Sequence, residues 1–441
     1  MSFPRYGQYK DSGIGWLGPV PVTWRVAPLK VIARVINGYP FDAKLFDPAD
    51  GFPLVRIRDL NQCVPDARYK GEFLDAASIN NDDVLIGMDG DFNVGRWLGE
   101  VPALLNQRMC CVRAYSPMVT RYLQYVLPQP LKAINDVTYS TTVKHLSSFD
   151  VLKIAVAMPP SSTEVGEIVS FLDCETTKID ALVEEQRRLI ELLKEKRQAV
   201  ISQAVTKGLS PNVATKDSGV KWLGEVPAHW GMTKLKHLVA ESVAGPYGAS
   251  LTKDMYTSSG YRVYGQQQVI PDDFTVGDYY ISEAKFDEMR RYSVYKGDVL
   301  VSVMGTIGKV AVVPGDVEPG IINPRLVRYR CSECIRPRYL QRVLLSQKHQ
   351  EHLLFEAKGT TMDGLNMSTL GKVPVPVPPL AEQAQIVEWL SSIQDETDAL
   401  VVEAEKAAAL LLERRAALIS AAVTGKIDVR GLVPQPEAVA A

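Results

Sequence analysis

Residues 11–24 read DSGIGWLGPVPVTW, and residues 217–230 read DSGVKWLGEVPAHW. Nine of the fourteen positions are identical, with Trp16 and Trp24 matching Trp222 and Trp230. Further on, EKRQAVISQAVTKG (195–208) returns as ERRAALISAAVTGK (413–426) at an offset of 218, and Asp180-Ala-Leu-Val returns at Asp398 with the same offset. The chain reads as two tandem halves, about 11–210 and 217–426, alike at their ends and different in their middles. A repeat of that length is too long for a solenoid, so whole domains are duplicated. The middles still share landmarks. DDVLIGMDG (82–90) is echoed by GDVLVSVMG (297–305), Asn106-Gln-Arg108 by Asn323-Pro-Arg325, and Ser140-Thr-Thr142 by Gly359-Thr-Thr361.

The ends of the halves predict helices. Apolar or small residues recur at Ile168, Leu172, Ile179, Leu182, Leu189, Leu193, Val200 and Ala204, and again at Ile386, Leu390, Ile393, Leu400, Ala404, Ala407, Leu411 and Leu418. That is a three/four spacing held for about six heptads. Each stretch starts just after Pro-Pro (159–160 and 378–379) and contains no further proline, as expected where an extended segment gives way to a helix. A 40-residue helix is roughly 60 Å long and needs a partner for its stripe. The other copy supplies one, as an antiparallel coiled coil. The middles predict short strands, at 53–60, 83–88, 109–115, 298–304, 309–314 and 325–330, broken by Gly, Pro and Asp. Short helices are expected at 118–133 and 336–357. The fold class is therefore α/β (α+β): two mixed, β-rich globules joined by two long helices.

Composition narrows the function. The 441 residues, 46% hydrophobic and 23% charged, suit more than one folded core. A net charge of -2 excludes binding nucleic acid by bulk charge. Residues 25–158 hold 15 Lys/Arg against 14 Asp/Glu, and 231–378 hold 18 against 15. The helical stretches are acidic, 6 against 9 in 163–205 and 3 against 8 in 381–423. Nucleic acid would sit on the globules, while the helices would space them or bind partners. Six scattered cysteines make no disulfide framework, and no apolar run reaches membrane length. The reading is a cytoplasmic chain in a reducing compartment.

Catalytic motifs are missing. The sequence has no GxxxxGK[ST], no GxGxxG opening a helix, no HExxH and no Asn/Asp-Pro-Pro-aromatic motif. Cys331-x-x-Cys334 lacks the second pair a zinc ribbon needs. His349-x-x-His352 is expected on a solvated helix face.

The repeated DSG-x-x-WLG-x-VP-x-x-W element, the duplicated halves and the helices ending in (K/R)R-x-A-(V/L)-IS-x-AVT resemble the specificity subunits of type I restriction–modification enzymes. GFPLVRIRDLN (51–61), LIGMDGDFNVGRW (85–97) and LLNQRMCCV (104–112) look like one class of their target recognition domains. The second domain resembles them more loosely, through GDVLVSVMGTIGKVAVV (297–313) and NPRLVRY (323–329). The resemblance implies recognition domains at 1–160 and 209–379, spacer helices at 161–208 and 380–426, and a tail at 427–441. It implies a non-catalytic subunit that reads a bipartite, asymmetric site on double-stranded DNA, one half-site per domain, with the helices as a ruler. It also implies two modification (methyltransferase) and two restriction (translocase/nuclease) subunits as partners, on which S-adenosylmethionine, ATP and Mg2+ would bind. A stand-alone DNA-binding regulator and a scaffold without a DNA role stay open as alternatives.

Four segments per domain are candidates for DNA contact. The loop after the buried strand offers Asp89, Asp91, Asn93 and Arg96, or Thr306 and Lys309, with glycine permitting close backbone approach. Arg108 and Arg325 could engage guanine with two hydrogen bonds, or anchor a loop to a carboxylate. Thr141 and Lys144, like Lys358 and Thr360, could grip phosphate, or close a turn. Arg56 and Arg58 are expected to alternate on a strand and share one face. Gln266 and Gln267, in a run with Gln268, could read adenine, or sit in a solvated loop. The pairs Trp16/Trp24 and Trp222/Trp230 are candidates for the partner-binding region, as buried anchors at the junction of globule and helix.

Overall fold

The computed structural model describes residues 3–137, 144–247, 250–358 and 364–432. It divides into two units. Unit 1 takes Met1–Gln186 and Lys406–Ala441, and unit 2 takes Arg187–Glu405. Each unit thus holds a β-rich globule, the start of one long helix and the end of the other.

In unit 1, strands β1 (Arg25–Pro28), β2 (Ala33–Asn37), β3 (Phe52–Val55), β4 (Ser78–Ile79), β5 (Val84–Gly87), β6 (Val94–Arg96), β7 (Ala103–Leu105) and β8 (Met109–Ala114) precede helices α1 (Pro117–Val126) and α2 (Pro128–Val137). β9 (Ala155–Met158) pairs with β1 and leads into the long helix α3 (Ser162–Lys207). One antiparallel sheet has the order β6-β5-β8-β2. In a second sheet β3 runs parallel to β7, which pairs with β4. Strand β5 is buried throughout because its alternate side chains enter two cores. Val84 and Ile86 join Cys110, Val112 and the start of α3, whereas Leu85 joins Met109, Cys111 and Trp97.

Unit 2 repeats this plan. Its strands are β10 (Gly231–Lys234), β11 (Val239–Ala244) and β12 (Tyr261–Tyr264), then a short helix α4 (Gln266–Val269), then β13 (Val299–Ser302), β14 (Val310–Val312), β15 (Gly320–Ile322) and β16 (Leu326–Cys331). Helices α5 (Pro337–Leu345) and α6 (Gln347–Lys358), strand β17 (Pro374–Val377) and the long helix α7 (Leu380–Val423) follow. The sheet order is β11-β16-β13-β14, and β12 runs parallel to β15. The helices expected at 118–133 and 336–357 are each split in two, at Leu127 and Ser346.

Both units hold the same ion pair, with its carboxylate buried. Asp83 accepts from Arg113 Nε at 2.8 Å and from Asn80 N at 2.7 Å. Asp298 accepts from Arg330 Nε at 3.0 Å and from Tyr295 N at 2.9 Å, and it also holds the buried Arg328. The shared Asp-Val-Leu landmark is therefore structural.

In unit 1, Arg415 of α7 meets Asp180 of α3 at 2.8 Å. In unit 2, Arg197 of α3 meets Asp398 of α7 at 2.6 Å. Both partners recur at the offset of 218, so each unit holds the same contact with the helices exchanged. The buried seam differs from the expected stripe. On α3 it runs through Ile168, Leu172, Ile179, Val183, Ile190, Ile201 and Ala204, while Leu182, Leu189 and, on α7, Leu400 stand exposed. Among the described residues no helix is long and apolar enough to cross a membrane.

The repeated tryptophans divide by role. Trp24 and Trp230 are 0% and 1% exposed, so they cannot themselves touch a partner. Trp24 Nε1 donates to Glu164 of α3 at 2.8 Å, and Tyr6 OH donates to the same oxygen at 2.8 Å. Burial, and then the Glu164 carboxylate, push the Tyr6 phenol well above its ordinary pKa. Trp16 and Trp222 are half-buried. Trp222 stacks on His352 at 4.6 Å and meets His349 edge-on. The His-x-x-His pair is thus not a solvated face. His349 is fully buried, with Nδ1 2.9 Å from Ser346 Oγ and Nε2 3.0 Å from Pro374 O, and burial lowers its pKa to about 4. Residues 427–432 fold back onto the N-terminal segment. Asp428 N donates to Pro4 O at 2.8 Å, and Val429 is buried.

Candidate nucleic-acid interface

In unit 1 the loop after β5 lies between two other candidate segments. Met88 N donates to Arg108 O at 2.9 Å, Leu146 N to Met88 O at 2.8 Å and Gly90 N to Lys144 O at 3.1 Å. Gly90 makes this turn at φ +79°, a conformation that suits glycine. At its tip, Asp89 takes His145 Nδ1 at 2.8 Å and Arg108 Nη1 at 3.5 Å. The Arg108 side chain is held by one edge and is still 67% exposed.

Unit 2 reproduces the backbone of this site with other side chains. Val303 N donates to Arg325 O at 2.9 Å, and Leu365 N to Val303 O at 2.9 Å. Met304 takes the place of Asp89, and Gly305 that of Gly90 at φ +70°. Arg325, also exposed, reaches Gln266 Oε1 at 3.3 Å instead of a carboxylate. Gln266 donates to Ser302 Oγ at 2.7 Å and to Met304 O at 2.6 Å. Its amide is therefore engaged with the loop and with Arg325.

The segments after β3 and β12 also correspond. Arg56 and Arg58 do not alternate on a strand, because β3 ends at Val55 and Ile57–Asp59 form a 3-10 turn. Buried Asp59 draws the chain in, accepting from Arg56 N at 3.0 Å and Arg56 Nε at 2.8 Å. In unit 2, buried Gln268 accepts from Gly265 N at 2.8 Å in the same way. Arg58 and Gln267 then occupy the same place, and both are exposed. Arg56 is locked inward.

Other candidates lie apart. Asn93 is exposed on the loop, and its carbonyl accepts from Gly87 N at 2.9 Å. Arg96 pairs with Asp82 at 3.2 Å, away from Asp89. Lys144 Nζ is tied to Asn135 O at 2.5 Å. Thr306 is exposed beside Gln266, whereas Lys309 faces a separate cavity with Arg338 and Arg342. Lys358 ends α6 and is exposed. Thr141 and Thr360 lie outside the described residues.

Two residues escaped the sequence reading. A Cβ on Gly38 would stand 1.8 Å from Asn106 O, and one on Gly245 2.0 Å from Asn323 O. Each glycine seats the chain directly on its Asn-x-Arg turn, with an exposed tyrosine, Tyr39 or Tyr247, beside it. The signal was the Gly-Tyr-Pro and Gly-Pro-Tyr pair at the end of β2 and β11. Among the described residues no cluster of His, Cys, Asp and Glu could hold a metal.

A family model, the Type I restriction modification DNA specificity domain, matches residues 21–192 and again 251–408. The chain belongs to this family of specificity subunits. The EcoBI specificity subunit of Escherichia coli is 26% identical over 434 residues, spanning 97% of this chain and 91% of that protein. The MjaVIII specificity subunit of Methanocaldococcus jannaschii is 24% identical over 368 residues, spanning 80% and 81%. Among solved structures, a chain from a study of complex assembly and conformational transition of the type I R-M system aligns with a TM-score of 0.70 at 17% identity, covering 94% of this chain and 99% of that one. The HsdS subunit of Thermoanaerobacter tengcongensis aligns at 0.52, covering 92% and 98%. These structural likenesses speak for the fold. As a specificity subunit the protein recognises DNA within a restriction–modification complex, scaffolds partner subunits and is not itself catalytic.

Proposed function

We propose that each unit of this specificity subunit reads one half of a bipartite, asymmetric site on double-stranded DNA. The recognition domains would be 1–160 and 209–379, with 161–208 and 380–426 as spacer helices. Arg58, Asn93 and Arg108 would contact DNA from the first domain, and Gln267, Thr306 and Arg325 from the second. The observation that carries this reading is the shared backbone frame of the Asn-x-Arg turn, which sets Arg108 and Arg325 at matching backbone positions while the side chains around them differ. Two readers on one frame fit two different half-sites. The repeated helix contact favours two equivalent docking places, one for each of two modification subunits, to which two restriction subunits attach. Exposed leucines on the long helices, among them Leu182, Leu189, Leu192 and Leu410, supply apolar surface for such docking. Methyl donor, ATP and Mg2+ belong to the partners, and the complex would act in the cytoplasm.

The test is co-expression with the modification subunit, followed by mapping of methylated positions across a host genome. A single bipartite motif of fixed spacing, present only with both subunits, is expected. A stable complex with an active partner that methylates no such motif would refute the two-reader model.

A further inference from the structure

Helix α1 and its C-cap carry Arg121-Tyr-Leu-Gln-Tyr-Val-Leu127, and α5 carries Arg338-Tyr-Leu-Gln-Arg-Val-Leu344. Six of seven residues agree, and the difference is Tyr125 against Arg342. Each helix lies beside the start of a long helix, where Ile168-Val169 matches Ile386-Val387 and Asp173 matches Ser391. In unit 1 the equivalent place is also a cavity, lined by Gln124, Tyr125 and Arg415, but the charges beside it are paired with each other. Asp173 forms an ion pair with Arg121 and accepts from Tyr125 OH at 2.5 Å. In unit 2 the acid is gone and a second cation has taken the tyrosine's position.

The unit 2 cavity has a volume of about 440 Å³. Arg197, Lys309, Arg338 and Arg342 line it against only two acids, Asp272 and Asp395. Asp272 is taken by Arg338 at 2.8 Å, and Arg197 turns to Asp398. Arg342 Nε is buried without a hydrogen-bond partner, and neither Arg342 nor Lys309 forms an ion pair among the described residues. Burial and the neighbouring Arg338 and Arg197 depress the Arg342 pKa against the pull of Asp272 and Asp395. A guanidinium in this state is costly unless an anion joins it.

We propose that this cavity binds a phosphoryl group, with Arg342 and Lys309 as its charged ligands. Guanidinium and ammonium donors together suit phosphate oxygens, and Gln198, Gln341 and Gln394 on the lining add uncharged polar groups. The phosphoryl group could come from a DNA backbone or from a free phosphate ester, and both present the same oxyanion. Only the first source rests on the proposed DNA-reading function.

The decisive variant copies unit 1: Arg342→Tyr with Ser391→Asp. Arg342→Gln alone serves as a second variant, and circular dichroism checks that both fold. Full-length chain is melted against inorganic phosphate at constant ionic strength. Wild type is expected to gain a saturable rise in Tm that both variants lose. An equal response in all three proteins is a general salt effect and overturns the site unless the DNA arm shows it. In that arm, DNA binding by the complex with the modification subunit is measured against salt. A salt slope smaller in the variants by about 0.9 marks one backbone phosphate at the site. A lost phosphate response with an unchanged slope marks a free phosphate ester. Wild-type behaviour of both variants in both arms refutes the proposal.

Discussion

Substituting Gly38→Ala tests how the exposed arginine turn is built. The new Cβ would lie 1.8 Å from Asn106 O and 2.4 Å from its carbon, where ordinary contact begins at 3.4 Å. Both neighbours are backbone, so no side chain can swing aside. The strands must part by about 1.6 Å, the difference between those distances. Two hydrogen bonds then break, Gly38 N to Met109 O at 3.0 Å and Tyr39 N to Leu105 O at 2.9 Å. At about 1 kcal/mol each, with about 1–3 kcal/mol for overpacking, the loss should be about 3–5 kcal/mol. Gly245→Ala meets the same obstacle in unit 2, at 2.0 Å from Asn323 O. Gly15→Ala, with no atom within 4 Å, is the control and should stay within about 0.5 kcal/mol. Denaturant unfolding of the full chain gives the stability. Binding to duplexes altered in one half-site gives the functional consequence, which should fall on the half read by the mutated unit. If Gly38→Ala unfolds at the wild-type midpoint and reads both half-sites normally, the close approach does not hold the turn and the reasoning is wrong.

Other outcomes follow from single sites. Glu164→Ala strips the shared acceptor from Trp24 and Tyr6, each at 2.8 Å, and should cost about 3–6 kcal/mol at roughly 1.5–3 per charged hydrogen bond, read by tryptophan fluorescence during unfolding. His349 is held neutral in the fold, with a pKa of about 4 against 6.5 unfolded. Its contribution is whole above pH 6.5 and declines as pH falls towards 4, by about 3 kcal/mol in all. His349→Gln should remove that portion of the acid sensitivity, and an unchanged pH–stability curve would sink the assignment. Arg58→Ala and Gln267→Ala should leave stability within about 0.5 kcal/mol and weaken DNA binding by about 1–3 kcal/mol, each at its own half-site.

The ends of the halves were legible because their residues meet the same physical demand twice. Trp24 and Trp230 are both core residues, and Asp180–Arg415 and Asp398–Arg197 are the same contact made twice. Strands β5 and β13 were legible as unbroken apolar runs. The misread positions had rival candidates one residue away. Leu182 adjoins Val183, and Leu189 adjoins Ile190, so apolar spacing alone could not choose the buried member. Arg56 and Arg58 resemble a strand only until Asp59 captures the Arg56 backbone. The Arg121 and Arg338 heptapeptides were in plain view, but whether the charges beside them are paired depends on Asp173 and Ser391, tens of residues away.

The two arginine turns show how the side chains of the middles can diverge on one backbone frame. Met88 and Val303 place the loop through backbone N–H and C=O groups, and those bonds are indifferent to side-chain identity. Arg108 leans on Asp89, which also holds His145, whereas Arg325 leans on a glutamine that is itself pinned by Ser302 and Met304. A carboxylate support adds negative charge beside the exposed guanidinium, and an amide support adds none. Near DNA phosphates that difference favours closer backbone approach in unit 2 and leaves unit 1 more dependent on hydrogen bonds to base edges. Salt should therefore weaken recognition of the second half-site more steeply than recognition of the first.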